Sequence, residues 1–227
     1  MNLERQEAYS FEREEQTFIQ RVYQWMAAGL ALSGLVAFGA AQNPALLRAL
    51  SGGMFFVLMI VELGLVFWLS SQVLKLSPVA AITGFLVYSG LNGLTLSFIF
   101  LVYTQASIAS TFFIAAGTFA AVSAYGWMTK TDLTSMGGLL FMGLIGVILG
   151  SVVNLFFRAP ALYWIVTYLG LAVFIGLTAY DTQRLKLIHQ NGAGAATEQL
   201  AVLGALRLYL DFINMFLLLL RLFGRRR

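Results

Sequence analysis

RLYLDFINMFLLLLRLFG (residues 207–224) is long and apolar enough to cross a membrane, yet it carries Asp211 near its middle and Arg221 near its end. An aspartate at the centre of a membrane helix costs about 2.5 to 3.5 kcal/mol on insertion scales. Such a residue is read as facing a bundle interior or a watery path, with a partner. The rest of the chain is expected to form a jacket around this helix.

The composition supports a membrane setting. Of 227 residues, 59% are hydrophobic and 11% charged, and mean hydropathy is +0.82. A soluble domain carries about 25% charged residues. No charge occurs between Lys75 and Lys130, between Asp132 and Arg158, or between Arg158 and Asp181. Uncharged runs of this length read as spans, because about 20 apolar residues cross the hydrocarbon core. The fold class is therefore an all-α integral membrane protein. The chain has no cysteine, which excludes disulfides, thiolate metal sites and cysteine nucleophiles. The net charge of +4 fits lysines and arginines that flank spans. No basic patch is interleaved with exposed aromatics, so no nucleic acid is expected as a partner.

Seven spans follow from the polar breaks, at about 22–41, 53–71, 79–102, 107–128, 136–156, 161–181 and 200–223. Residues 1–20 are polar and mixed in sign, and read as a cytoplasmic arm ahead of a membrane domain at 21–227. That arm is too long and too rich in glutamate for the basic leading region of a signal peptide. Residues 182–199 read as the longest internal loop, which holds the lone His189. Gly34 with Gly39, Gly90 with Gly93, and Gly143 with Gly146 and Gly150 are spaced for close helix packing. Trp25, Trp68, Trp127 and Trp164 fall near span ends, as an interfacial belt would have them. With the N-terminus in the cytoplasm, the first six spans obey the positive-inside rule. Arg225, Arg226 and Arg227 oppose it if the seventh helix crosses fully. Seven crossings are expected, because residues 200–223 are long enough to span.

Three acids lie at membrane depth or at its edge: Glu62, Asp181 and Asp211. Asp181 and Asp211 would approach each other in the inner half of the membrane. A carboxylate pair there shares a proton and titrates as a unit, which makes a proton-operated latch. Local pairing is the plainer alternative, since Arg207 lies four residues before Asp211 and Arg184 three after Asp181. Glu62 is central in its span, with no charged residue within eleven positions. Arg221 either meets Glu62 or reaches the far headgroups. Asn92, Asn154 and Asn214 line a path or tie helices together, the second being the commoner use. Metalloprotease, serine-hydrolase and phosphate-loop patterns are absent. Span six has Ala179-Tyr180-Asp181-Thr182, and no glycine-aspartate pattern of an intramembrane aspartyl protease accompanies the second acid. No enzyme activity and no cofactor are expected.

LYLDFINMFLLLLRLFG (208–224) and the upstream AYDTQRLKLIH (179–189) together resemble the paired motifs of the transmembrane BAX inhibitor motif family. The resemblance covers nearly the whole chain, and the glutamate-rich arm looks like the bacterial branch. It implies seven helices with the C-terminal one central and wrapped by the other six, in a bacterial inner membrane. It also implies a pH-sensitive calcium leak, with calcium as permeant ion and protons as the controlling ligand. By that resemblance Asp181 and Asp211 match a two-aspartate pH sensor. Arg221 matches a basic residue on the last helix, and Glu62 its acidic partner on the second. Asp181, Asp211 and Glu62 would then make weak, transient calcium contacts. The calcium-leak members also carry a basic residue just after a Phe-Trp pair; here Phe67-Trp68 is followed by Leu69-Ser70-Ser71, and Lys75 is the nearest cation. Two alternatives stand beside the leak. One is an interaction protein that modulates a membrane-anchored, ATP-dependent quality-control protease. The other is a proton-coupled cation transporter.

Overall fold

The computed structural model describes residues 2–190 and 197–227, with side chains from 15 to 188 and from 197 onward. His189 and the acids of 1–14 therefore lie outside the described side chains. The described residues form nine α-helices, of which seven are long and apolar enough to cross a membrane. These spans are Glu15–Ala41, Gly53–Lys75, Pro78–Val102, Gln105–Met128, Thr134–Phe157, Pro160–Ile188 and Thr197–Phe223.

The breaks between helices have local causes. α1 (Asn2–Ala41) runs unbroken through the expected arm into the first span. Asn43 caps α2 (Pro44–Leu50), its Oδ1 accepting from the amides of Ala45 and Leu46 at 3.1 Å each. α3 (Gly53–Gln72) ends in a 3₁₀ turn, Val73–Lys75. Ser77 caps α4 (Pro78–Leu96), accepting from Ala80 N–H at 3.2 Å, and Pro78 occupies the first turn, where a missing donor costs nothing. α4 breaks at Ser97 and resumes as the short α5 (Ile99–Val102). Thr104 caps α6 (Gln105–Met128). α7 (Gly137–Phe157) ends at Arg158, and Pro160 begins α8 (Pro160–Gln190). α9 (Thr197–Phe223) closes the chain. The expected loop at 182–199 is thus corrected: α8 continues to Gln190, nine residues past Asp181.

Two compact units divide the chain, Met1–Val102 with Leu185–Tyr209, and Tyr103–Arg184 with Leu210–Arg227. In the first, a Cβ on Gly29 would lie 2.5 Å from the Phe85 ring, and one on Gly93 would lie 2.7 Å from the Ser33 carbonyl oxygen. Small residues are what let α1 and α4 approach so closely. In the second unit, Phe112 and Phe119 from α6 set their rings edge-on to Phe212 of α9, at 5.4 and 5.6 Å. Gly143 and Gly150 of α7 face Val173 and Val166 of α8. Gly34, Gly39, Gly90 and Gly146 have open space instead, so only part of the expected small-residue pattern marks packing seams.

Burial is uneven among the spans. In α9, 72% of the most apolar window is buried, against 6% to 33% in the other six. α7 is the extreme opposite, with Leu139, Phe141, Met142, Leu149 and Phe156 all exposed. Such a face is stable only in contact with lipid or another apolar surface.

Candidate functional site

Glu62 sits mid-way along α3 and is 7% exposed. α4 presents Asn92 and Thr95, three residues apart and so on one face of the helix. Thr95 Oγ1 donates to Glu62 Oε1, and Asn92 Nδ2 donates to Oε2 at 3.2 Å. The Asn92 carbonyl accepts from the Tyr209 hydroxyl of α9 at 2.9 Å. That hydroxyl lies 2.7 Å from Ser33 Oγ of α1. Ser33 Oγ is also 2.7 Å from the Ser89 carbonyl oxygen and 2.9 Å from that of Gly29. Tyr209 is fully buried, its ring edge-on to Phe85 and Tyr88 at 5.7 and 5.9 Å.

The result is a continuous polar chain, Thr95–Glu62–Asn92–Tyr209–Ser33, running through the first unit. Its geometry follows from the local sequence. Gly93 has no side chain, so α4 comes near enough to α1 for Ser33 to reach across to Ser89. Donors and acceptors alternate, which fixes the Asn92 amide with its nitrogen toward the carboxyl and its oxygen toward the phenol. The partners of Glu62 are neutral, so it can gain or release a proton without breaking an ion pair.

Glu62 therefore takes hydrogen bonds from neutral groups, and Arg221 is exposed with its guanidinium 5.7 Å from the centre of the Tyr163 ring. Arg184, expected as a local ion-pair partner of Asp181, donates to Tyr180 Oη at 3.2 Å, its guanidinium 5.9 Å from that ring's centre. Asp181 is half-buried on α8 and Asp211 is 4% exposed on α9. Both carboxylates interact with neighbouring groups, as does the half-buried Arg207. Asn214 donates to the Leu210 carbonyl of its own helix at 2.8 Å. Among the described residues no group of three or more His, Cys, Asp or Glu is placed to hold a metal ion.

At the position after Phe67-Trp68, where the resemblance leads one to expect a basic residue, Leu69 is 1% exposed, while Phe67 and Trp68 face outward. Lys75 lies in the exposed turn beyond. The position is a packed apolar one.

Tyr209, Ser33 and Thr95 were not legible as site residues. The available signal was depth: a tyrosine in mid-span lies away from the interfacial belt where tyrosines concentrate, and a deep hydroxyl needs a partner.

Seven apolar spans with buried acids define a polytopic helical membrane protein. A family model described as "Inhibitor of apoptosis-promoting Bax1" matches residues 15–227. The inner membrane protein YbhL of Escherichia coli K12 is 51% identical over 217 residues, 93% of each chain. An uncharacterized protein of Borreliella burgdorferi is 44% identical over 214 residues, 92% of each chain. One from Rickettsia prowazekii is 38% identical over 220 residues, 96% of this chain and 93% of the relative. The chain belongs to this Bax inhibitor family.

Proposed function

We propose that the protein is a cation leak of the bacterial inner membrane, with calcium as permeant ion and conduction governed by protonation of intramembrane acids. The observation that carries this reading is the burial of acids within the spans, Glu62 at 7% exposure and Asp211 at 4%. Acids held at that depth are costly and mark ion or proton pathways. Asp181 and Asp211 act as the pH sensor, and Glu62 and Arg221 as pore or latch groups. The strong burial of α9 supports a central seventh helix with the other six around it. The inner-membrane location rests on the name of the Escherichia coli relative. Calcium prefers six to eight oxygen ligands, so a few carboxyls would give loose contacts, as conduction requires.

The test is calcium flux into liposomes that hold the purified protein, at pH 6 and pH 8, beside Asp181→Asn, Asp211→Asn and Glu62→Gln. A pH-dependent flux that Asp211→Asn abolishes supports the leak. Flux and pH response unchanged in all three variants would sink it. A requirement for a counter-ion on the other side would convert the reading to a proton-coupled transporter.

A second reading is an interaction protein that modulates a membrane-anchored, ATP-dependent protease. It is favoured by the start of α1: the helix begins at Asn2, while the family match begins at residue 15. Deleting residues 2–14 should then abolish protease modulation and leave flux intact. The reverse pattern argues for the leak alone.

A further inference from the structure

We propose that the second unit carries a binding site for the phosphoryl headgroup of an anionic glycerophospholipid, at the membrane-surface end of α7, α8 and α9. A cavity of about 780 Å³ opens there, with Arg158, Arg221 and Arg226 in its lining. No acidic residue lines it. Three guanidiniums share one concavity without a carboxylate, and they offer the forked donors that match phosphate oxygens.

Each arginine is placed by a different device. Arg158 closes α7 in the left-handed conformation, at φ 49° and ψ 34°. A non-glycine residue there is strained by about 1 kcal/mol or more, so glycine would serve the turn better and the guanidinium is what the arginine adds. Arg221 projects from the last turn of α9, over the ring of Tyr163. Arg226 lies on a C-terminal strap that pairs with the start of α6. Thr104 N–H donates to the Arg225 carbonyl at 3.1 Å, Arg225 N–H donates to Ser107 Oγ at 2.8 Å, and Tyr103 and Arg226 form an antiparallel bridge. Arg225 and Arg226 are thus held by backbone pairing, and Arg226 Nη2 reaches Tyr163 Oη at 3.5 Å.

One further feature points to a headgroup. Trp164, also in the lining, stacks on Tyr168 at 6.0 Å, and aromatic residues of this kind mark headgroup depth.

The test uses the full-length protein in neutral detergent, with its unfolding temperature followed during titration with phosphatidylglycerol, phosphatidylcholine or inorganic phosphate. Phosphatidylglycerol should raise the unfolding temperature and phosphatidylcholine should not. In Arg158→Gly the half-saturating lipid concentration should rise about tenfold or more. That variant's lipid-free stability should hold or improve, since glycine adopts a positive φ without strain. Arg226→Gln should weaken binding in the same direction. If inorganic phosphate alone reproduces the rise, and Arg158→Gly loses it, phosphoryl recognition stands with the free anion as its source. Equal shifts from phosphatidylcholine, or a phosphatidylglycerol shift that survives in both variants, overturn the proposal.

Discussion

Replacing Tyr209 with phenylalanine removes one oxygen from the middle of the first unit and leaves the ring in place. The edge contacts to Phe85 and Tyr88 survive, so the change isolates the hydroxyl. Two hydrogen bonds go with it, to Ser33 at 2.7 Å and Asn92 at 2.9 Å. Their loss is unequal. Ser33 Oγ keeps two carbonyl acceptors, those of Gly29 and Ser89. Asn92 Oδ1 loses the donor that Tyr209 supplied; an unsatisfied acceptor costs about 1–3 kcal/mol when fully buried, and less on a half-buried side chain such as Asn92. Hydrogen bonds between membrane helices average about 0.6 kcal/mol and reach about 1.7, which pulls the expectation down to about 1–2 kcal/mol. For a chain of this size that is a fall of about 2–8 °C in unfolding temperature. The assay is thermal unfolding in detergent of wild type, Tyr209→Phe, Asn92→Ala and the double variant. The two changes should couple by about 0.5–1.5 kcal/mol, because they share one bond. A cost below about 0.3 kcal/mol, or one of equal size in both backgrounds, would refute the polar chain as an energetic unit.

Two more expectations rest on local geometry. Gly93→Ala should destabilise by about 1–3 kcal/mol, since its Cβ would lie 2.7 Å from the Ser33 carbonyl and 2.8 Å from Val36 Cβ. Gly34→Ala, with nothing within 4 Å of the new carbon, should be neutral or stabilise by up to about 1 kcal/mol; equal effects at the two sites in thermal unfolding would contradict the packing. In the α6–α7 turn, the Asp132 carboxyl is held below its ordinary value of 3.8 by hydrogen bonds from the Thr134 hydroxyl and amide. Its folded pKa is depressed, so its contribution is fully present above the unfolded value and fades as pH falls through the folded one. The stability difference between wild type and Asp132→Ala should therefore be constant near neutral pH and shrink below about pH 4; a gap that widens on acidification would show the opposite sign.

Hydropathy made the spans legible, because a run without charge has few alternatives to lying in lipid. The boundaries were legible where proline or a capping side chain stops a helix, as at Asn43-Pro44, Ser77-Pro78, Thr104 and Ala159-Pro160. α8 beyond Asp181 was not. Gln183, Arg184 and Lys186 give that stretch the polarity of a loop, yet nothing in it breaks a helix, and Gln183 is tied to the turn before α7 through Leu133 N–H and the Thr131 carbonyl at 2.8 Å each. Polarity ends the apolar run there, not the helix. The glycines divide for a related reason. Spacing identifies which ones share a face, but the same pattern serves a packed face and an open one.

The site was legible as charge and illegible as network. A carboxyl in a span announces itself by its cost, so Glu62 and Asp211 stand out from sequence alone. Tyrosine, serine and threonine are tolerated singly in membrane helices and carry no comparable signal. Yet these hydroxyls, with the amide of Asn92, give Glu62 its neutral partners. Tyr209 and Asp211 are two residues apart on α9 and so point about 200° apart around the helix. The last span therefore points its phenol and its carboxylate in different directions around the helix. A seventh helix with polar groups on two sides cannot be read as a lipid-facing stripe with one inward face. It has to be buried through most of its circumference, and its exposure agrees: Leu208 and Tyr209 are fully buried, Asp211 is 4% exposed and Met215 fully buried, all within three turns.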